Sequence, residues 1–359
     1  MSRVHNFSAG PAALPLEVLE IIRNDLPDWL GSGMSVMEVS HRGKDFVELA
    51  VRAETNVRKL MQIPNDYSVL FPQGGATMQM AMAPLNLTAP GDTADYIVTG
   101  SWGKKAAGEA KKFCSVNVAA DSSDRKFTHI PAESEWQRSD DAAYLHYTPN
   151  ETIAGVEFHF VPDGDAPLVA DMSSNILSRP VDVNRFGVIY AGAQKNIGPA
   201  GITLVIVRND LLEKARPNNP HLMTWMSYAE SDSMTNTPPT FAWYVADLVF
   251  QWLMDQGGIG AMGKINERKS TKLYAAIDAS DFYSNPVAKD CRSRMNVPFI
   301  LADDALDKKF LEESAAAGLA NLKGHRSVGG MRASIYNAVR EESVDALIAF
   351  MAEFERKNG

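Results

Sequence analysis

The chain has 359 residues, 45% hydrophobic and 22% charged, a globular composition that excludes intrinsic disorder, collagen-like repeats and coiled coil. Its 44 acidic and 35 basic side chains give a formal net charge of −9. That balance excludes a chain-wide cationic surface for nucleic acid or anionic lipid, so any anionic partner must meet a local cluster of cations.

The N-terminal stretch MSRVHNFSAGPAALP lacks the basic and apolar regions of a secretion signal, and no stretch approaches the roughly 18 apolar residues of a membrane span. A cytoplasmic protein with no membrane partner is expected. Short apolar runs then recur at 67–71, 95–98, 143–147, 168–170, 188–191 and 201–207, most of them followed by a helix-like segment. Unalternating strands interleaved with helices predict an α/β fold whose mostly parallel sheet is covered on both faces. The pattern turns helical over 241–255, breaks at the turn-rich DQGGIGAMG, and resumes over 265–279. A domain boundary near 258 separates a large domain from a smaller α+β domain with an apolar segment at 296–301, a basic loop LKGHRSVGG and an amphipathic closing helix through Val344, Leu347, Ile348, Met351 and Phe354. Gly258, Gly260 and Gly263 match G-x-G-x-x-G, but no strand precedes them and Ile265 stands where a P-loop needs Ser or Thr, so they read as an interdomain turn. Two distant cysteines, Cys114 and Cys291, exclude a disulfide scaffold and a zinc module and read as buried reduced thiols.

In an open parallel sheet, ligands bind beyond the carboxyl ends of the strands, which makes the residues after each run the candidates. PQGGATMQMAM, after residue 71, is a glycine-containing turn that opens a helix; its backbone N–H groups suit a phosphate, although such a turn also serves as plain connection. Trp102 follows the second run and is large enough to stack on a planar ligand or to pack a helix. Residues 148–152 follow the third run. Asp171, directly after the fourth, is either a capping residue or a functional carboxylate. The strongest signal is AGAQKNIGPAG, where Lys195 sits among small residues between two apolar strands. Partial desolvation there favours the neutral amine that imine formation needs. A lysine, an acid, an aromatic and a phosphate-type turn on successive strand ends are the set that pyridoxal 5'-phosphate requires.

From end to end the sequence resembles the phosphoserine aminotransferases, class V members of the fold-type I pyridoxal-phosphate enzymes. The matching stretches are NFSAGPAALP, EVSHRGKDF, FPQGGATMQ, GSWGKKAAGEA, YTPNETIAGVEF, ADMSSNILSRPVDV, YAGAQKNIGPAGITLVIVR, TNTPPTFAWY and GHRSVGGMRASIYNA. The resemblance implies that Lys195 holds the cofactor covalently, Asp171 pairs with its ring nitrogen, Trp102 stacks on the ring and Thr152 bonds near its 3'-oxygen. It gives the cofactor phosphate to Ala76, Thr77 and Gln194, with Asn236 and Thr237 contributed by the second subunit of a homodimer. It assigns Arg332 to the substrate α-carboxylate, and His41, Arg42, His325 and Arg326 to the distal phosphate or carboxylate. Several convergent cations suit a dianionic phosphate, and arginine supplies bidentate donors. Some relatives carry arginine at the position of Thr77, an extra cation that this chain lacks. The implied organisation is an arm, 1–15, packed on the small domain, a large domain, 16–257, and a small domain, 258–359. The implied reaction moves the amino group between L-glutamate and 3-phosphohydroxypyruvate, a step of serine biosynthesis. Some relatives also use 4-phosphohydroxythreonine in pyridoxine biosynthesis. No metal and no nucleic acid enter this chemistry. The alternative is another class V activity such as a cysteine desulfurase, which wants a mobile reactive thiol and a histidine where Gln194 precedes Lys195.

Overall fold

The central sheet has seven strands: β1 Tyr67–Leu70, β2 Thr93–Val98, β3 Ser115–Asp121, β4 Leu145–Tyr147, β5 Leu168–Asp171, β6 Val188–Gly192 and β7 Thr203–Arg208. The computed structural model describes residues 3–359. Across the sheet the order is β1-β7-β6-β5-β4-β2-β3; β7 runs antiparallel to both its neighbours and every other pair is parallel. The expected mostly parallel sheet is therefore present. Its apolar runs are unalternating because both faces are covered. Ile189, Ala191, Leu204 and Ile206 enter one core, while Val188, Tyr190, Val205 and Val207 enter the other. Strand β3 was not apparent as an apolar run, because it lies at the edge and most of its residues are exposed or half-buried.

Helices α1 (Leu16–Asp25), α2 (Lys44–Met61) and α5 (Thr240–Asp255) cover the first face, and α3 (Gly75–Leu87) and α4 (Ser101–Ala110) cover the second. Helix α5 is apolar enough to be buried nearly all round, and the one carboxylate it buries, Asp247, is satisfied by Arg52 at 2.9 and 2.7 Å and by Asn56 at 3.1 Å from α2. Helix α6 runs from Gly258 to Asp278, so the glycine stretch read as a turn is in fact its first two turns. Only Gly257 and Gly258, with φ of 89° and 75°, form the bend; Gly263 lies inside the helix where an added Cβ would stand 3.4 Å from the Arg179 backbone. The C-terminal part has its own core around a three-stranded sheet, β8 (Tyr283–Ser284), β9 (Asn296–Leu301) and β10 (Met331–Ser334), closed by α7 (Glu341–Asn358). The N-terminal segment joins that core through Phe7, with His5–Asn6 paired in parallel to Leu319–Ala320. No helix among the described residues is long and apolar enough to cross a membrane, and no group of three His, Cys, Asp or Glu side chains among them could hold a metal ion.

Candidate active site

The residues after β1, β2, β4, β5 and β6 converge on a cavity of about 120 Å³ whose lining includes Trp102, Thr152, Asp171, Gln194 and Lys195. A larger groove, about 780 Å³ between the N-terminal segment and α6, contains none of them. Lys195 lies in the β6–β7 connection, which the N-terminal segment covers through the Ala12 N–H donating to the Gln194 carbonyl at 2.9 Å. Its Nζ donates to Thr152 Oγ1 at 2.6 Å and stands 5.8 Å from the centre of the Trp102 ring. Burial pushes the Lys195 pKa down to about 8; the carboxylates of Asp171 and Glu151 pull it up, and Arg332 pushes it further down. Gln194 folds back over Gly192, where an added Cβ would stand 2.6 Å from its Oε1, which accounts for the glycine at the end of β6.

Asp171 closes β5 and is buried. It accepts from the backbone N–H and Oγ of Ser173 at 3.0 and 2.6 Å, both at Oδ1, which leaves Oδ2 for a ligand. Burial raises its pKa, while Ser173 and Lys195 hold it down.

Two helices begin at this edge of the sheet, and their N-termini differ. Helix α4 follows Gly100, which has no side chain to cap it; Glu151 does so instead, accepting from the N–H groups of Trp102 at 3.1 Å and Gly103 at 2.7 Å. Burial raises the Glu151 pKa to about 7, with the two N–H bonds lowering it, Asp171 raising it and Lys195 lowering it. Helix α3 follows Gly74, also without a side-chain cap, and the N–H groups of Gly75, Ala76 and Thr77 meet no acceptor outside their own helix among the described residues. An open helix N-terminus beside a buried lysine is a ready anion site. Positive φ at Gly74 (91°) and Gly75 (65°) makes the turn that leaves it open.

Arg332, on β10, donates from Nη1 to the Thr152 carbonyl at 3.3 Å, which brings a guanidinium from the C-terminal sheet to the residue that bonds Lys195. Burial pulls its pKa down, but an arginine remains charged. His325 and Arg326 sit on the glycine-rich loop just before β10; burial, Arg332 and Arg326 together lower the His325 pKa, and its Nδ1 lies 2.7 Å from Ser327 Oγ. Neither His41 nor Arg42 lines the cavity: they precede α2. Asn236 and Thr237 also lie outside it, bonded by Gln73 Nε2 at 3.4 Å (Asn236 Oδ1) and 3.0 Å (Thr237 carbonyl), just upstream of the α3 turn. Among the described residues Arg42, Arg326 and Arg332 form no ion pair.

The sequence pattern of class-V aminotransferases matches residues 4–347. The chain belongs to the class-V aminotransferase family. It is 61% identical over 357 residues to the phosphoserine aminotransferase of Hahella chejuensis and 57% identical over 358 residues to that of Pseudomonas aeruginosa, covering 99% of each chain in both cases. Its fold superposes on the phosphoserine aminotransferase of Bacillus circulans subsp. alkalophilus with a TM-score of 0.97, at 47% identity over 99% of both chains. The pyridoxal-phosphate-bound phosphoserine aminotransferase of Trichomonas vaginalis gives a TM-score of 0.94 at 43% identity, over 98% of this chain and 100% of that one.

As a class-V aminotransferase the chain is a transaminase that takes pyridoxal phosphate, and its residues fit that group. Thr148 Oγ1 and Trp102 Nε1 are buried in or beside the cavity without a partner among the described residues, Asp171 has an oxygen to offer, and α3 presents unpaired N–H groups. The full-length identity to phosphoserine aminotransferases supports that activity and not the cysteine-desulfurase alternative, and neither cysteine lines the cavity. Cys291 is buried and burial pushes its thiol up to about 11, the opposite of activation, while Cys114 is half-buried rather than buried. Glu151 carries no sequence signal beyond its place inside TPNET, because the two N–H groups it accepts from lie 48 and 49 residues upstream.

Proposed function

We propose that the chain catalyses reversible amino transfer between L-glutamate and 3-phosphohydroxypyruvate, giving O-phospho-L-serine and 2-oxoglutarate in serine biosynthesis, as the names of its relatives indicate. The observation that carries this reading is Arg332, a guanidinium without a carboxylate partner at the residue that bonds the lysine, with the likewise unpaired Arg326 near enough that both arginines lower the His325 pKa, in a chain whose net charge is −9. Arg332 takes the α-carboxylate common to both amino acids, while His325 and Arg326, with His41 and Arg42, take the distal anion. Pyridoxal phosphate, when bound, supplies an electron sink that stabilises negative charge at the substrate Cα. Lys195 would hold it and, once freed, would take the substrate Cα proton onto its Nζ and deliver it to the cofactor rather than back to Cα. Asp171 Oδ2 keeps a proton on the ring nitrogen, Trp102 covers the ring, Thr152 bonds the 3'-oxygen, and the first turn of α3 at Ala76 and Thr77, with Gln194, receives the phosphate.

We also assign the chain to a cytoplasmic homodimer in which Asn236 and Thr237 complete the neighbouring site. Support comes from exposed apolar side chains close together in sequence around His41 and Arg42: Leu30, Met34, Met37, Val47 and Val51. Full activity in a protein that sediments as a monomer would overturn this assignment.

A coupled assay that follows glutamate-dependent amination tests the substrate assignment. Wild-type protein should aminate 3-phosphohydroxypyruvate far better than pyruvate, and Arg326→Ala should raise KM for the phosphorylated acid about tenfold while leaving pyruvate unchanged. Equal losses on both acids would remove Arg326 from the distal pocket. Running the same assay with the keto acid of 4-phosphohydroxythreonine decides whether that compound is a second substrate.

The buried lysine gives a pH dependence with a definite sign. A pKa near 8 leaves roughly a tenth of Lys195 neutral at pH 7, against fewer than about one in a thousand for an unperturbed lysine. Attachment of pyridoxal phosphate to apoenzyme needs the neutral amine, so its rate should rise about tenfold per pH unit below 8 and level off above. A rate that keeps climbing to pH 10 would show that Lys195 is an ordinary solvated lysine.

A further inference from the structure

We propose that Glu151 is a positioning residue that fixes the Trp102 indole over the ring of the bound cofactor by locking the first turn of α4 to the segment that holds Lys195. The proposal rests on the cofactor reading given above. The Glu151 side chain is fully buried and both of its oxygens are engaged, Oε2 by the Trp102 N–H and Oε1 by the Gly103 N–H. The two glycines of GSWG make room for it. An added Cβ at Gly100 would stand 2.2 Å from Glu151 Cδ, and one at Gly103 would stand 3.3 Å from Oε1 and 3.1 Å from the Ile97 carbonyl. A serine or aspartate at position 100 would cap α4 locally and serve helix stability as well. What a local cap cannot do is tie the helix to another part of the site.

The other end of the tie is well anchored. Glu151 belongs to a two-strand ribbon, Asn150–Glu151 paired with Val156–Glu157, and its carbonyl accepts from the Gly155 N–H at 2.8 Å. On one side, Asn150 Nδ2 donates to Ser174 Oγ at 2.8 Å and Asn296 Oδ1 at 2.9 Å. On the other, Thr152 accepts from Lys195. Three consecutive residues therefore hold, in order, the C-terminal sheet, the aromatic plate and the lysine. The carboxylate also faces the positive end of the α4 dipole, a favourable place for a buried negative charge. Trp102 is half-buried and packs against the second core, and its Nε1 has no partner among the described residues, so the hydrogen bond that ties it to the lysine's side of the site is the one at its backbone N–H.

The test uses holoenzyme and two substitutions that act differently. Glu151→Gln keeps the shape but leaves one oxygen, so one of the two N–H groups faces an amide NH₂. Gly100→Ala keeps the carboxylate and displaces it; the backbone there is extended (φ 177°) and accepts alanine. Both should keep the fold, weaken retention of pyridoxal phosphate roughly tenfold and reduce the visible circular dichroism of the bound cofactor, which reports how asymmetrically its ring is held. In a Trp102→Ala background Glu151→Gln should add no further loss, because the residue acts through Trp102. A full additional loss in that background, an unchanged dichroism signal, or failure of both variants to fold would each overturn the proposal and leave Glu151 a structural cap. Wild-type protein that takes up no pyridoxal phosphate would mark failure of the cofactor reading instead.

Discussion

Replacing Lys195 with alanine is expected to lower kcat for glutamate and O-phospho-L-serine by at least about 10⁴-fold, because under the proposed function it removes both the covalent anchor and the base that takes the Cα proton. The effect should be this large because the site contains no substitute. Asp171 gives Oδ1 to Ser173 and its Oδ2 is assigned to the ring nitrogen, both Glu151 oxygens are held by the α4 N–H groups, and Arg332 is cationic. The variant should still fold. Its Nζ makes one hydrogen bond, to Thr152, and the β6–β7 connection is held independently by the Ala12 bond to the Gln194 carbonyl. Burying a lysine that burial itself renders less basic is a cost to the fold, so the apoprotein melting temperature should stay level or rise. Single-turnover spectroscopy on Lys195→Ala loaded with pyridoxal phosphate separates binding from chemistry. Retained cofactor with no proton exchange at Cα is the expected pair of results, and turnover within tenfold of wild type would take Lys195 out of the mechanism.

Why some of this site could be read from sequence and some could not follows from where each residue's partners lie. Lys195 and Asp171 were legible because their environment is local: a buried strand, then a small or polar cluster, on a sheet whose geometry sends strand ends to one edge. The open N-terminus of α3 was legible for the same reason, since Gly74 and Gly75 announce the turn. Glu151 was not, because what makes it functional is a pair of glycines and two N–H groups almost 50 residues away, and a glutamate in TPNET looks like any polar turn residue. Strand β3 escaped because one of its flanks has no neighbour, so nothing selects a continuous apolar run. The glycines of α6 misled in the other direction: Gly260 and Gly263 mark helical backbone, and at Gly263 the reason is close packing on Arg179 rather than a turn. Arg332, His325 and Arg326 emerged only through family resemblance, and their convergence depends on how the C-terminal sheet sits against the large one, which no local pattern encodes.

Arg332→Ala is expected to reduce kcat/KM roughly a hundredfold to a thousandfold, and by the same factor for glutamate, O-phospho-L-serine and alanine, since all three present an α-carboxylate and differ only at the other end. The magnitude follows from burial: removing a partly desolvated guanidinium leaves the carboxylate facing a low-dielectric wall with no counter-charge. Arg332→Lys should recover only part of the loss, because a point charge on a flexible stem does not reproduce two parallel N–H donors. The Thr152 carbonyl also loses the Nη1 bond, but that bond is long at 3.3 Å and Thr152 remains placed by Lys195, so cofactor retention should change little. This separates Arg332 from Glu151, whose variants are expected to weaken the cofactor and not one class of substrate. It separates Arg332 from Arg326 as well, whose loss should be felt only by substrates with a distal anion. Steady-state kinetics with the three amino acids decides the matter: an Arg332→Ala enzyme that turns over alanine normally while losing O-phospho-L-serine would move Arg332 from the α-carboxylate to the distal pocket and leave the shared end of the substrate without a cation.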